Sequence, residues 1–162
     1  MPEPIICDTS VWLYTGRVGH IDLLSHLYSP VYATEAVCLE LDAGRMIRAD
    51  TPDVRELPWV HVVQPNSQAY ATLPVNRLGP GEQSVLAYAH AQQLNVVGLD
   101  DRQARDLAQR MGLRALGTIG LFLKAKEAGL VPSVRSLLVA LQKEGFYIGQ
   151  GLIEYALHRA QE

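Results

Sequence analysis

The chain has 162 residues, 48% hydrophobic and 19% charged, enough for one core of ordinary domain size that needs no disulfide or metal staple to fold. Fourteen Lys and Arg against seventeen Asp and Glu leave a net charge of −3, which excludes a protein that coats nucleic acid through overall basicity but not an enzyme that acts on it. Cys7 and Cys38, without CxxC or zinc-finger spacing, read as buried thiols of a reducing compartment; with no basic leader and no membrane-length apolar run, the expectation is a soluble, cytoplasmic protein.

Along the chain, the apolar run Pro4 to Cys7 ends on Asp8 and is too short for a helix, so it reads as a buried strand. A segment of helical periodicity follows, broken at Gly19, then an amphipathic stretch from His20 to Tyr28. Pro30 to Ala33 is a second short strand, and Thr34 caps a helix running to about Gly44 with Glu35 in its first turn. Residues 45–78 are the least regular, with four prolines around one strand-like run, Val60 to Val63. Gly79-Pro80-Gly81 opens a helix from Glu82 to about Leu94. Asn95 to Leu99 is a strand, Asp100-Asp101 starts a helix that stops at Gly112, and Leu113 to Leu116 is strand-like. Helical stretches at Thr118–Ala128, Ser133–Glu144 and Leu152–Ala160 complete the chain. Five short strands alternating with helices predict a three-layer α/β/α fold around a parallel sheet. The division expected is one domain, with an α/β core over 1–130 and a helical C-terminal extension over 131–162.

Several acids stand out by position. Asp8 closes the first strand and Asp100-Asp101 the fourth, so a parallel sheet brings them to its carboxyl edge, where sites of such folds collect. An N-cap role accounts for one of the Asp100-Asp101 pair but not for both, nor for Asp8. Glu40 lies about 60° from Val37 around its helix, at the border of the apolar face. Glu82 has Val85, Leu86 and Ala89 at i+3, i+4 and i+7, which places it on the buried stripe; a first-turn acid favoured by the helix dipole is the plainer reading. Clustered carboxylates repel unless a hard cation neutralises them, and Mg²⁺ or Mn²⁺ prefer such oxygen ligands together with substrate phosphate. The set points to metal-assisted hydrolysis of a phosphodiester.

These pieces, in order, resemble the PIN-domain family and within it the DUF3368 branch: Asp8-Thr9-Ser10, Glu35 to Leu41, Leu78 to Glu82, Leu99 to Arg105, Gly117 to Gly120, Ala125 to Pro132 and Gly145-Phe146. The likeness spans nearly the whole chain. It implies a strand order of 3-2-1-4-5 and a Mg²⁺- or Mn²⁺-dependent endoribonuclease, related to VapC-type toxins of toxin–antitoxin pairs. Carried over residue by residue, the resemblance makes Asp8, Glu40, Glu82 and Asp101 the catalytic and metal-binding acids, with Asp100 as an alternative in the fourth position. Thr9 or Ser10 would donate a hydroxyl hydrogen bond orienting Asp8 or a water. The third acid is a Glu where many toxins of the family carry Asp. A catalytically degenerate PIN-like partner module is the other reading that the resemblance allows.

Other motifs are set aside. Gly79 to Glu82 lacks the Lys-Ser/Thr of a phosphate-cradling loop, Asp8-Thr9-Ser10 lacks the second Asp of a haloacid-dehalogenase-type phosphatase, and the five histidines have no metal-ligand spacing. The aromatic residues are scattered and show no paired platform for stacking bases. Arg102, Arg105 and Arg110 are candidate RNA contacts, although Arg105, at i+4 from Asp101, reads first as its intrahelical ion-pair partner. Leu137, Leu138 and Leu141 form a stripe that packs on its own domain or docks a neighbour, for which a homodimer mate or an antitoxin-like protein is expected; the resemblance implies RNA as the substrate, and no membrane partner is expected.

Overall fold

A computed structural model describes residues 2–162. Five parallel strands, β1 (Ile5–Cys7), β2 (Val31–Thr34), β3 (Val60–Val63), β4 (Val96–Gly98) and β5 (Arg114–Leu116), pair in the order β3-β2-β1-β4-β5. Register sets Ile5 beside both Val31 and Val96, and Cys7 beside Gly98. β1 and β4 are buried at every position, as central strands of a sheet covered on both faces must be. The order puts β1 in the middle with β4 next to it, so Asp8 and Asp100 leave neighbouring strands at one edge.

Among the described residues nine α-helices complete the three layers: α1 (Thr9–Arg17), α2 (Leu23–Leu27), α3 (Glu35–Ile47), α4 (Ser67–Ala71), α5 (Pro80–Ala91), α6 (Arg102–Arg110), α7 (Thr118–Glu127), α8 (Val134–Lys143) and α9 (Gln150–Arg159). Their starts follow local chemistry. Thr34 Oγ1 accepts from Val37 N–H at 3.1 Å, Asp101 from Ala104 N–H at 3.0 Å, and Ser133 from Ser136 N–H at 3.1 Å, each satisfying an N-terminal donor that the helix itself cannot. Pro80 occupies the first turn of α5, where its missing N–H costs nothing.

The structure departs from the sequence reading in two places. The amphipathic stretch over His20–Tyr28 is helical only over Leu23–Leu27, because residues 20–22 form a turn in which Leu23 N–H bonds to His20 O. Inside the irregular stretch Asn66 caps the short α4 through a 2.8 Å bond from Ala69 N–H, a local device that hydrophobic periodicity does not reveal.

The main core surrounds β1 and β4. Within it Trp12 of α1 is fully buried, donates its indole N–H to Cys7 O at 3.1 Å, and lies 5.9 Å from the Trp59 ring. A second apolar cluster joins Phe122 of α7 to Leu137, Leu138 and Leu141 of α8 and Ala156 of α9, so the leucine stripe of α8 is consumed within the chain. Glu162 closes this cluster. Its carboxylate accepts from Val134 N–H at 2.6 Å, Ser133 Oγ at 2.9 Å, Lys126 Nζ at 3.1 Å and Arg135 N–H at 3.2 Å. It ties the end of α9 to the start of α8.

Candidate active site

The carboxyl edge of the sheet opens into a cavity of about 520 Å³ lined by Asp8, Thr9, Ser10, Glu82, Asp100 and Asp101, with Leu13, Tyr14 and the loop Gly145–Tyr147 as its wall. Asp8 enters from β1, Asp100 and Asp101 from the turn after β4, and Glu82 from the first turn of α5. Glu40 reaches the same place from α3: a Cβ added to Gly81 would collide with the Glu40 carboxylate and come within 3.0 Å of Asp8 Oδ1. Bare backbone at Gly81 is therefore what lets these two acids approach α5.

The acids differ in how their oxygens are satisfied. Asp100 is held on all sides: Ser10 Oγ donates to it at 2.6 Å, Thr118 N–H at 2.7 Å and Thr118 Oγ1 at 2.8 Å. Asp101 turns back to cap α6. Glu40 accepts one hydroxyl bond, from Thr9 at 3.2 Å. Asp8, only 8% exposed, and Glu82 each keep a buried oxygen, Oδ1 and Oε2, with no hydrogen-bond partner. Burial, opposed by a backbone hydrogen bond from Thr9 and reinforced by the charges of Glu82, Glu40 and Asp100, pushes the Asp8 carboxyl up to about 7. Glu82 is also raised, by burial first and then by the nearby Asp101 charge. Glu40 is raised by burial, against the hydroxyl bond from Thr9.

Two expected contacts are replaced. Thr9 and Ser10 do not orient Asp8; their hydroxyls go to Glu40 and Asp100, because the first turn of α1 faces α3 on one side and the β4 turn on the other. Arg105 makes no ion pair with Asp101 among the described residues: Asp101 Oδ2 accepts from Ala104 N–H at the start of its own helix, and Arg105 extends instead to Gly117. The three candidate RNA-contact arginines do not form one track: Arg102 and Arg105 share one surface cleft, and Arg110 lines another with Arg77.

Among the described residues, no three His, Cys, Asp or Glu side chains stand close enough together to hold a metal ion. The donor chemistry nevertheless suits a hard cation. Two buried carboxylate oxygens are unpaired, and an anion buried without a proton, donor or cation is costly.

A family profile described as DUF3368: PIN domain matches residues 4–162. The chain belongs to this PIN-domain family. No curated protein matches it. The PIN fold accounts for the sheet order and for the gathering of the acids at one edge. No helix of the described residues is long and apolar enough to cross a membrane.

Three parts of this PIN-domain edge are not apparent from the sequence: Gly81 as a point of close approach, Thr118 as the anchor of Asp100, and the Tyr14–Phe146 pair with its neighbour Tyr147. Thr118 carries a usable signal, because Gly117-Thr118 follows β5 and must emerge at the same edge as Asp8 and Asp100. The aromatic wall carries none, since it forms only when the loop after α8 folds back on α1.

Proposed function

We propose that this PIN domain is a divalent-metal-dependent endoribonuclease in which Asp8, Glu40, Glu82 and Asp101 hold Mg²⁺ or Mn²⁺, and that it belongs to the toxin-like part of its family, with an antitoxin protein and a second copy of the chain as partners. The observation that supports this reading is the pair of buried, unpaired oxygens on Asp8 and Glu82. A bound divalent ion supplies positive charge against the developing charge of a phosphoryl transition state and lowers the pKa of water. The chain's own parts then divide the work. Asp100, fixed by Ser10 and Thr118, holds the β4 turn in place; Thr9 steadies Glu40; and Gly81 keeps the backbone of α5 out of the way.

A second reading is a PIN-like module that binds partners without catalysis. A specific observation favours it: among the described residues, no three potential ligands are gathered for one ion, and the resting arrangement taken alone sits closer to this reading. The mutual repulsion of carboxylates that meet at this edge, which raises Asp8 and which a cation would relieve, is the physical reason for giving the first reading precedence. One pair of measurements separates the two. Labelled RNA incubated with Mn²⁺ should be cut, with cleavage lost in EDTA and in Asp8→Asn, while Mn²⁺ raises the melting temperature by linkage. Cleavage that persists in Asp8→Asn removes the catalytic assignment, and no melting shift at millimolar Mn²⁺ favours the module.

A further inference from the structure

Directly beside the acidic edge lies a second cavity of about 350 Å³, sharing Asp100, Phe146 and Tyr147 with the first. Its floor is apolar, from Leu116, Ile119 and Leu123, and its rim carries Tyr155 and Arg105. Phe146 is pinned edge-to-face on Tyr14 with ring centroids 4.8 Å apart, which fixes the loop that bears Tyr147. Tyr147 is 88% and Tyr155 55% exposed, and among the described residues neither ring packs on another aromatic ring. Exposed tyrosines over an apolar floor are poorly matched to water and well matched to a planar ring. Arg105 forms no ion pair among the described residues, and its Nη1 would lie 3.6 Å from a Cβ at Gly117. Its planar donors are thus available at the mouth of the cavity.

We infer that this cavity is a nucleobase subsite for single-stranded RNA: Tyr147 and Tyr155 stack on the base next to the scissile phosphate, and Arg105 donates to its acceptor edge. The inference rests on the nuclease reading for the place of the phosphate. Continuity of the two cavities through Asp100 and Tyr147 makes an RNA strand the occupant, since a phosphate at Asp8 and Glu82 leaves its neighbouring nucleoside at this opening. Stacking tolerates any base, and the arginine adds preference for bases that present acceptors.

The test uses the full chain and fluorescein-labelled oligouridylate and oligoadenylate, with anisotropy read in EDTA and again with Ca²⁺. Tyr147→Ala and Tyr155→Ala should each weaken binding by roughly tenfold, Tyr147→Phe should retain it, and an oligonucleotide abasic at every position should bind to the parent at least as weakly as the intact one does to Tyr147→Ala. With Mn²⁺, cleavage by Tyr147→Ala should show a raised KM at little-changed kcat. Equal binding of abasic and intact RNA, or unchanged affinity in both tyrosine variants, overturns the subsite even if cleavage is intact. So does a change of oligomeric state in those variants without a change in RNA affinity, which would assign the rings to a protein interface. Tyrosine-dependent RNA binding without Mn²⁺-dependent cleavage leaves the subsite standing and removes the nuclease.

Discussion

Asp8 and Glu162 sit at opposite ends of the chain and beside the N-termini of two helices, yet their surroundings are inverted. Glu162 takes hydrogen bonds from two backbone amides, a hydroxyl and an ammonium. Asp8 immediately precedes α1 and makes no capping bond to it, and one of its oxygens is buried without a partner. Although burial works against it, donors from Val134, Arg135, Ser133 and Lys126 hold the Glu162 carboxyl at about 2, whereas burial and neighbouring acids lift Asp8 to about 7. A carboxylate in a folded chain normally collects donors. Asp8 has a backbone hydrogen bond from Thr9 but leaves Oδ1 unpaired, and on the proposed reading a cation fills that place.

The largest effect that would break this contrast is on activity. Asp8→Asn should lower Mn²⁺-dependent RNA cleavage by more than about a hundredfold, beyond the range usual for outer-shell changes around a metal, while Glu162→Gln should leave it unchanged; gel assays of both variants decide. Gly81→Ala comes next. Its Cβ displaces Glu40, so cleavage and the Mn²⁺-induced melting shift should both fall while circular dichroism stays that of the parent.

Asp100→Ala sharpens the comparison from within the same edge. It strands the Thr118 amide and two hydroxyls, so urea unfolding should show a loss of about 1–3 kcal/mol. Glu82→Gln should act in the other direction, raising the metal-free melting temperature slightly by removing a like charge from the cluster while abolishing the response to Mn²⁺. A lowered melting temperature with unchanged cleavage would reduce Glu82 to a partner of the helix dipole.

The pH dependence should carry both signatures with opposite signs. Asp8 binds its proton more tightly folded than unfolded, so stability declines as pH rises from its ordinary value of 3.8 to about 7 and then levels off. Glu162 is the reverse: its contribution is present above 4.5 and fades as pH falls toward about 2. Denaturation across pH should show the neutral-side decline shrink in Asp8→Asn, leaving the part carried by Glu40 and Glu82, and the acid-side loss shrink in Glu162→Gln. A decline undiminished in Asp8→Asn would place the buried proton elsewhere.

Much of this edge is legible in the sequence, because strand ends and helix starts are local signals. Asp8 after an apolar triplet, Asp100-Asp101 after another and Glu82 after Gly-Pro-Gly are all read from neighbours in the chain, and so is Thr34 as a cap. What is not legible depends on distant packing. Ser10 meets Asp100 across 90 residues, so nothing near Asp8-Thr9-Ser10 shows where that hydroxyl goes. Arg105 has the right spacing for Asp101 but loses it to a backbone amide, a competition that i, i+4 counting omits. The wall of Tyr14, Phe146 and Tyr147 joins residues from opposite ends of the chain, and scattered aromatics look unpaired until the fold brings them together.

The tryptophan pair, Trp12 buried and Trp59 half-buried against it, gives the protein a built-in optical reporter. Trp12 and Trp59 are the chain's two tryptophans, their rings are 5.9 Å apart, and the Trp12 indole is bonded to the carbonyl of Cys7, the residue before Asp8. Whatever charge or ion arrives at Asp8 changes the local electric field one peptide unit from a chromophore in a water-free setting. Intrinsic emission and the near-ultraviolet dichroism of the coupled indoles can therefore follow occupancy of the acidic edge directly, without an attached dye, and distinguish it from unfolding, which would separate the two rings.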